Sequence, residues 1–327
     1  MRTVHFIVPE GIRDPARPSG GNTYGRKLSE GLAALGWTVI EHTAVADVTG
    51  IPDGALVLLD GLIASPAPDM LVPHAERLRQ VVLMHMPFGG DDERAVVEAA
   101  AAVVTTSEWT RRRLGELYGL PPDRVFVARP GVDAAALAPG TAGGAALLCV
   151  AAVTPGKGHD VLMRGLATIG DLAWQCTCVG SLDRDPAFAG TVRRRAPDGV
   201  RFTGPRTGAD LDRAYAAADV LVLASHAETY GMVITEAIAR GLPVITTDVG
   251  GVTEALGDDP RPGVLVPPGD PAALGAALRT WLGDAGLRER LRGAARERRG
   301  SLRGWDDTAA AVADVLESAG TVAEAVR

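Results

Sequence analysis

The sequence predicts an α/β protein built from two doubly wound domains that face a cleft. Three observations lead there. The chain has 327 residues, more than one ordinary core needs and about right for two domains of roughly 150 residues each. Short apolar runs alternate with longer helical patterns, the signature of βα units around a parallel sheet. The alternation pauses once, near residue 129, and then starts again.

In the first half the runs are VHFIVP, then the helical YGRKLSEGLAALG, then ALVLLDG, VVLMHMP, ERAVVEAAAA and VVTTS. The pause is RPGVDAAALAPGTAGG, rich in Pro, Gly and Ala and without a helical or strand period, which reads as a linker. The second half runs AALLCVAAV, GHDVLMRGLATI, AWQCTCVG, GVRFTG, ADLDRAYAAA, DVLVLAS, GMVITEAIARG and LPVITTD, followed by a helix-rich tail. Ligands of such sheets bind beyond the carboxyl ends of the strands, so the loops after strands carry the functional reading.

Composition narrows the partners. The apolar fraction of 46% fills two cores, and the net charge of −7 disfavours nucleic acid or anionic membrane as a general partner. Any anion site is therefore local. Cys149, Cys176 and Cys178 lie inside apolar runs without a CxxC or a histidine at ligand spacing, so they read as buried strand residues in a reducing cytosol. No signal peptide and no run of about 18 apolar residues is present, which points to a cytoplasmic protein without stable membrane insertion.

Four loops carry candidate chemistry. After VHFIVP, Gly20 and Gly21 precede an amphipathic helix, where a backbone could approach a ligand and the helix start would favour an anion; a flexible loop is the plainer reading. The loop lacks GxGxxG, which argues against a dinucleotide-dependent oxidoreductase. After VVLMHMP, His85 at a strand end could polarise a substrate hydroxyl, against the alternative of a core histidine. The acids Asp91, Asp92 and Glu93 behind it read as first-turn partners of a helix dipole.

In VAAVTPGKGHDVL, Lys157 stands between Gly156 and Gly158 at a strand-to-helix turn, placed to meet phosphate oxygens; an exposed turn lysine is the alternative. In SHAETYGMVITEA, Thr229 is the expected N-cap of a helix from Tyr230 or Gly231. Glu236 has apolar neighbours on both sides, so it needs hydrogen-bonding partners, which a bound polyol would supply.

The ETYGMVITEA stretch with its paired acids Glu228 and Glu236, TPGKG, RPGVD and the early Gly20-Gly21 loop together resemble family 4 of the retaining glycosyltransferases, which have the GT-B fold of two Rossmann-like domains. The resemblance covers nearly the whole chain in order. It implies an acceptor-side domain over 1–138, a nucleotide-sugar-binding domain over 139–304, and a helix over 305–327 that crosses back. It further implies that Glu236 accepts ribose hydroxyls, that Glu228 reaches the donor sugar, that Lys157 and residues Tyr230, Gly231, Met232 and Val233 meet the diphosphate or sugar, and that His85 is the cleft histidine.

Catalytic roles thus fall on His85, Glu228 and Lys157. The implied reaction is front-face transfer with retention from a nucleotide-sugar to the hydroxyl of a small-molecule acceptor, with no metal and no cofactor. The DRD at Asp183–Asp185 reads as a helix cap rather than a metal pair. One departure stands out: the family arginine five residues before the lysine is Ala152 here, and Arg129 or Arg206 are the candidate replacements. The alternatives are a nucleotide-sugar epimerase on the same fold and a non-catalytic sensor. Arg111–Arg113 and LRERLRGAARERRG read as solvated faces.

Overall fold

A computed structural model of the chain describes residues 2–15 and 17–321. The chain divides into two compact units. The first gathers the residues up to Asp14, Ser19–Gly131 and the chain from Arg303, and the second Pro15–Pro18 and Val132–Leu302.

The first unit holds six strands, β1 (Arg2–Ile7), β2 (Trp37–His42), β3 (Leu56–Asp60), β4 (Arg79–Met84), β5 (Ala102–Thr105) and β6 (Val125–Val127), in the order β2-β1-β3-β4-β5-β6. The second holds β7 (Ala146–Val150), β8 (Gln175–Val179), β9 (Val200–Phe202), β10 (Val220–Leu223), β11 (Val244–Thr247) and β12 (Gly263–Val266), in the order β12-β11-β10-β7-β8-β9. All neighbours in both sheets are parallel.

Helices on both faces of a parallel sheet bury both sides of its central strands, and such strands read as unbroken apolar runs. Every residue of β5, β10 and β11 is buried accordingly. The order of the strands reverses direction at β1/β3 in the first sheet and at β7/β10 in the second, and ligands of open α/β sheets bind beside that reversal. Asp60 ends β3, and the loops after β7 and β10 carry Lys157 and Glu228.

Three strands lie outside the apolar runs: WTVIEH, VFV and GVLV form β2, β6 and β12. Residues 132–138 of the linker belong with the second unit, because Ala138 N donates to Arg240 O at 2.9 Å and Arg299 Nη2 to Ala135 O at 2.6 Å. The helix Trp305–Thr321 lies in the first unit and packs against Gly20–Ala34, with Ala309, Val312, Ala313, Val315 and Leu316 in its core. Gly131 makes the join possible, since a Cβ there would sit 2.4 Å from Trp305 N.

The helix after β1 begins two residues earlier than a glycine pair preceding it would suggest. Ser19 caps it by accepting from Asn22 N at 3.0 Å, so Gly20 and Gly21 form its first turn rather than preceding it. The helix Met232–Ala239 starts after Gly231, whose φ of 90° favours glycine, and Thr229 is not its N-cap. Asp185 does cap its helix, accepting from Phe188 N at 2.9 Å.

Candidate functional site

In the second unit two loops interlock. Gly158, in a left-handed conformation with φ +64°, lies so close to the end of β10 that a Cβ would stand 1.9 Å from Ala224 O. His226 N donates to Gly156 O at 2.9 Å, tying the PGKG turn to the loop after β10. On the other side Gly250 passes so near Glu228 that a Cβ would stand 1.7 Å from its carbonyl oxygen, which accepts from Gly251 N at 3.0 Å. Three backbone approaches thus fix where Lys157 and Glu228 sit.

Those two side chains meet. Lys157 Nζ lies 2.6 Å from Glu228 Oε1, and Ser225 Oγ donates to the same oxygen at 2.8 Å. Glu228 is 11% exposed and Lys157 32%, so the carboxylate is the anchored member and the ammonium the accessible one. An ammonium has three donors, and one contact to Glu228 leaves two for an anion. The adjacent first turn of Met232–Ala239 carries N–H groups without helical acceptors, and no side chain caps them. Gly231, Met232 and Val233 are therefore brought to this end of β10 together with the Lys157–Glu228 pair, and Tyr230 is buried just before them.

Glu236 lies one turn further along the same helix, half-buried. Tyr215, fully buried on the helix Gly208–Ala216, donates from its hydroxyl to Glu236 Oε2 at 2.8 Å. Arg240 stacks on the Tyr215 ring with Cζ 4.5 Å from its centre, donates to Glu236 O at 2.8 Å and pairs with Asp212. Burial raises the Glu236 carboxyl above its ordinary value, against the Tyr215 hydrogen bond and the Arg240 charge, which lower it. The partners that this acid requires are thus supplied within the protein.

Neither arginine considered for the place of Ala152 is brought to Lys157 within this unit. Arg206 lies 3.6 Å from Asp210 and lines, with Arg201 and Arg213, a separate pocket under the helix Gly208–Ala216. Arg129 belongs to the first unit, where Glu108 is 3.8 Å away.

The cysteines are free and buried, and the reading that gave them no histidine partner is corrected by the fold. Cys149 on β7 and Cys178 on β8 are register partners, and His159, ten residues beyond Cys149, packs against them with its Nε2 3.7 Å from Cys149 Sγ. All three ligand atoms lie within 4.8 Å of one another. Hydrogen bonding to Cys178, and burial after it, push the Cys149 thiol well up, as expected of a thiol packed in a strand core. Among the described residues the group has three members, one short of the four that structural zinc uses.

In the first unit His85 follows β4 directly, 11% exposed. The Tyr24 ring meets it edge-on with centres 5.3 Å apart, and Tyr24 is itself tied to Ala128 O at 2.9 Å. Gly21 is also brought here: a Cβ on it would lie 3.6 Å from His85 Cδ2 and 3.8 Å from Leu62 Cδ1, ordinary contacts that do not demand glycine. Behind the ring is Asp60, 1% exposed, whose Oδ2 stands 3.2 Å from His85 Nε2 while its Oδ1 accepts from Leu62 N at 2.9 Å. The sequence signal for Asp60 was its place at the end of ALVLLDG.

Glu93 differs from its neighbours. Asp91 and Asp92 are exposed first-turn acids, but Glu93 is 2% exposed and accepts from Ser65 Oγ, Tyr118 OH, Phe88 N and Gly89 N at 2.5 to 3.2 Å. It holds the turn that follows His85.

A protein family described as Glycosyl transferases group 1 matches residues 144–284. A D-inositol 3-phosphate glycosyltransferase of Kineococcus radiotolerans is 36% identical over 240 residues, covering 64% of this chain and 55% of that protein. One from Thermomonospora curvata is 35% identical over 238 residues, covering 64% and 54%. The chain spans about half the length of the curated relatives it matches.

Solved structures match over 97% of this chain. A glycosyltransferase from Rickettsia africae gives a TM-score of 0.78 at 18% identity over 98% of its own chain. Sucrose-phosphate synthase from Thermosynechococcus elongatus gives 0.78 at 22% over 99%, and Anabaena HepE in complex with UDP and glucose gives 0.78 at 19% over 100%. These likenesses show the fold, the two-domain α/β architecture of GT-B glycosyltransferases.

Proposed function

Since residues 144–284 belong to the group 1 family of glycosyltransferases, we propose that this chain moves a sugar from a nucleoside-diphosphate donor to the hydroxyl of a small acceptor, with retention and without a metal. The observation that carries the reading is the Lys157–Glu228 contact at the β7/β10 reversal, next to the uncapped first turn of Met232–Ala239. A cation and open backbone N–H groups on a rigid frame suit a diphosphate, and they stabilise the charge that develops on it as the sugar leaves.

In this reading Glu236 takes the ribose hydroxyls, Glu228 addresses the sugar while steadying Lys157, and His85 meets a hydroxyl of the reacting sugars. The leaving diphosphate receives the proton of the acceptor hydroxyl. Support for a diphosphate donor comes from Anabaena HepE, which was solved with UDP and with UDP-glucose. Among the described residues no helix is long and apolar enough to cross a membrane, and the free cysteines suit the cytoplasm. None of the relatives and structures named above favours the epimerase reading.

A thermal-shift panel of nucleosides, nucleoside diphosphates and nucleotide sugars tests the proposal. A cognate ligand at ~100 times its dissociation constant adds about 2.7 kcal/mol of stability. The reading expects diphosphates and their sugar conjugates to shift the transition far more than nucleosides. A panel without any such preference would contradict it.

A further inference from the structure

We infer that Asp60 is the positioning residue of His85: its buried carboxylate fixes the imidazole as the Nε2–H tautomer, so that Nδ1 offers a lone pair to a substrate hydroxyl. The inference rests on the reading that His85 meets a sugar hydroxyl, and it specifies the polarity of that contact.

The two oxygens of Asp60 have different partners. Oδ1 is committed, because Leu62 N donates to it at 2.9 Å and so caps the short helix Gly61–Ala64. Oδ2 is buried and stands 3.2 Å from His85 Nε2, and neither atom has a hydrogen-bond partner of good geometry, so each is the nearest group that can satisfy the other. An ionised carboxylate only accepts hydrogen bonds. A neutral imidazole carries one N–H, and the nitrogen that faces an acceptor is the one that keeps it. The proton therefore sits on Nε2, and Nδ1 is left as the acceptor.

The surroundings hold that arrangement. Tyr24 packs edge-on against the ring, and Gly21 borders it, where a Cβ would lie 3.6 Å from His85 Cδ2. The backbone of Gly61, which follows Asp60, is pressed against β4, since a Cβ there would lie 3.0 Å from Leu83 O. Strand end, cap and ring are thus one rigid unit at the β1/β3 reversal.

The substitution Asp60→Asn tests this sharply. The Leu62 cap needs an acceptor and keeps the amide oxygen, so the amide NH2 turns to His85 Nε2. That forces Nε2 to accept and moves the ring proton to Nδ1, with little change in shape. Long-range 1H–15N correlation spectra of the full chain, with His85 assigned by difference from His85→Gln, read the tautomer without any donor. Expected are Nε2–H in the wild type, Nδ1–H in Asp60→Asn, and in the same variant a fall in kcat on the order of 10²-fold at unchanged donor KM and unchanged Tm.

An Nδ1–H tautomer in the wild type, or the same tautomer in both proteins, would overturn the positioning role. An inverted tautomer with unchanged kcat would overturn the claim that its polarity matters to transfer. Failure of the transfer reading itself would appear in the wild-type assay and not in the spectrum.

Discussion

Lys157 and Glu228 hold each other: the ammonium stands 2.6 Å from Oε1, and Ser225 Oγ shares that oxygen at 2.8 Å. A diphosphate that approaches Lys157 meets a cation already in place, with its position set by an acid rather than by solvent. Lys157→Ala is expected to weaken nucleoside diphosphate binding about 10- to 100-fold, the worth of one or two charge-assisted hydrogen bonds, and to leave nucleoside binding unchanged. Isothermal titration of both ligands checks it, and equal losses would remove the phosphate role.

Gly250 controls the backbone of Glu228. A methyl group added there would stand 1.7 Å from Glu228 O, at a φ of +57° that disfavours any side chain. Gly250→Ala is expected to cost about 1–3 kcal/mol in denaturant unfolding and to weaken the intact donor besides. Gly143→Ala, at a position with open space around it, is the matched control and should change neither.

If Glu236 takes the ribose hydroxyls, nucleotide affinity is expected to depend on pH. Burial raises its carboxyl above the ordinary 4.5, so ionising it in the free protein opposes folding, and the stability it contributes is lost as pH rises through the raised value. Ribose hydroxyls donate to the ionised form and favour it. Affinity should therefore fall as pH drops through that raised value, in a window above the usual carboxylate range. Tyr215→Phe removes the hydrogen bond that lowers the carboxyl and should move the window upward, and Glu236→Gln should abolish it. Titrations at a series of pH values read all three.

Glu93 gives a stability contrast within one helix turn. Glu93→Ala leaves Tyr118 OH, Ser65 Oγ and two backbone N–H groups without their acceptor, at a cost on the order of 3 kcal/mol. Asp91→Ala, exposed at the helix start, should cost less than about 1 kcal/mol. Thermal unfolding of the two variants compares them.

That contrast also shows what a sequence conceals. In DDER the three acids look alike, and only the chain folding Ser65 and Tyr118 onto the third one separates it from the others. The same holds for Tyr215, which reaches Glu236 from 21 residues away, and for Asp60, which reaches His85 across β3 and β4. The parallel strands were legible because burial on both faces leaves an apolar run, and the place of Lys157 just beyond β7 was legible because a glycine-bounded turn after such a run is a local feature. Arg240, one helical turn after Glu236, donates to its backbone oxygen and stacks on the Tyr215 ring, contacts that only the fold reveals.

The central claim is transfer with retention, and the anomeric configuration of the product tests it most directly. The full chain would be incubated with the donor identified by thermal shift and an acceptor, in excess chelator, and the product examined by proton NMR. The account predicts transfer with a coupling constant at the new anomeric centre that matches the donor's configuration. An inverted centre, dependence on added metal, or a donor epimerised without an acceptor would contradict it.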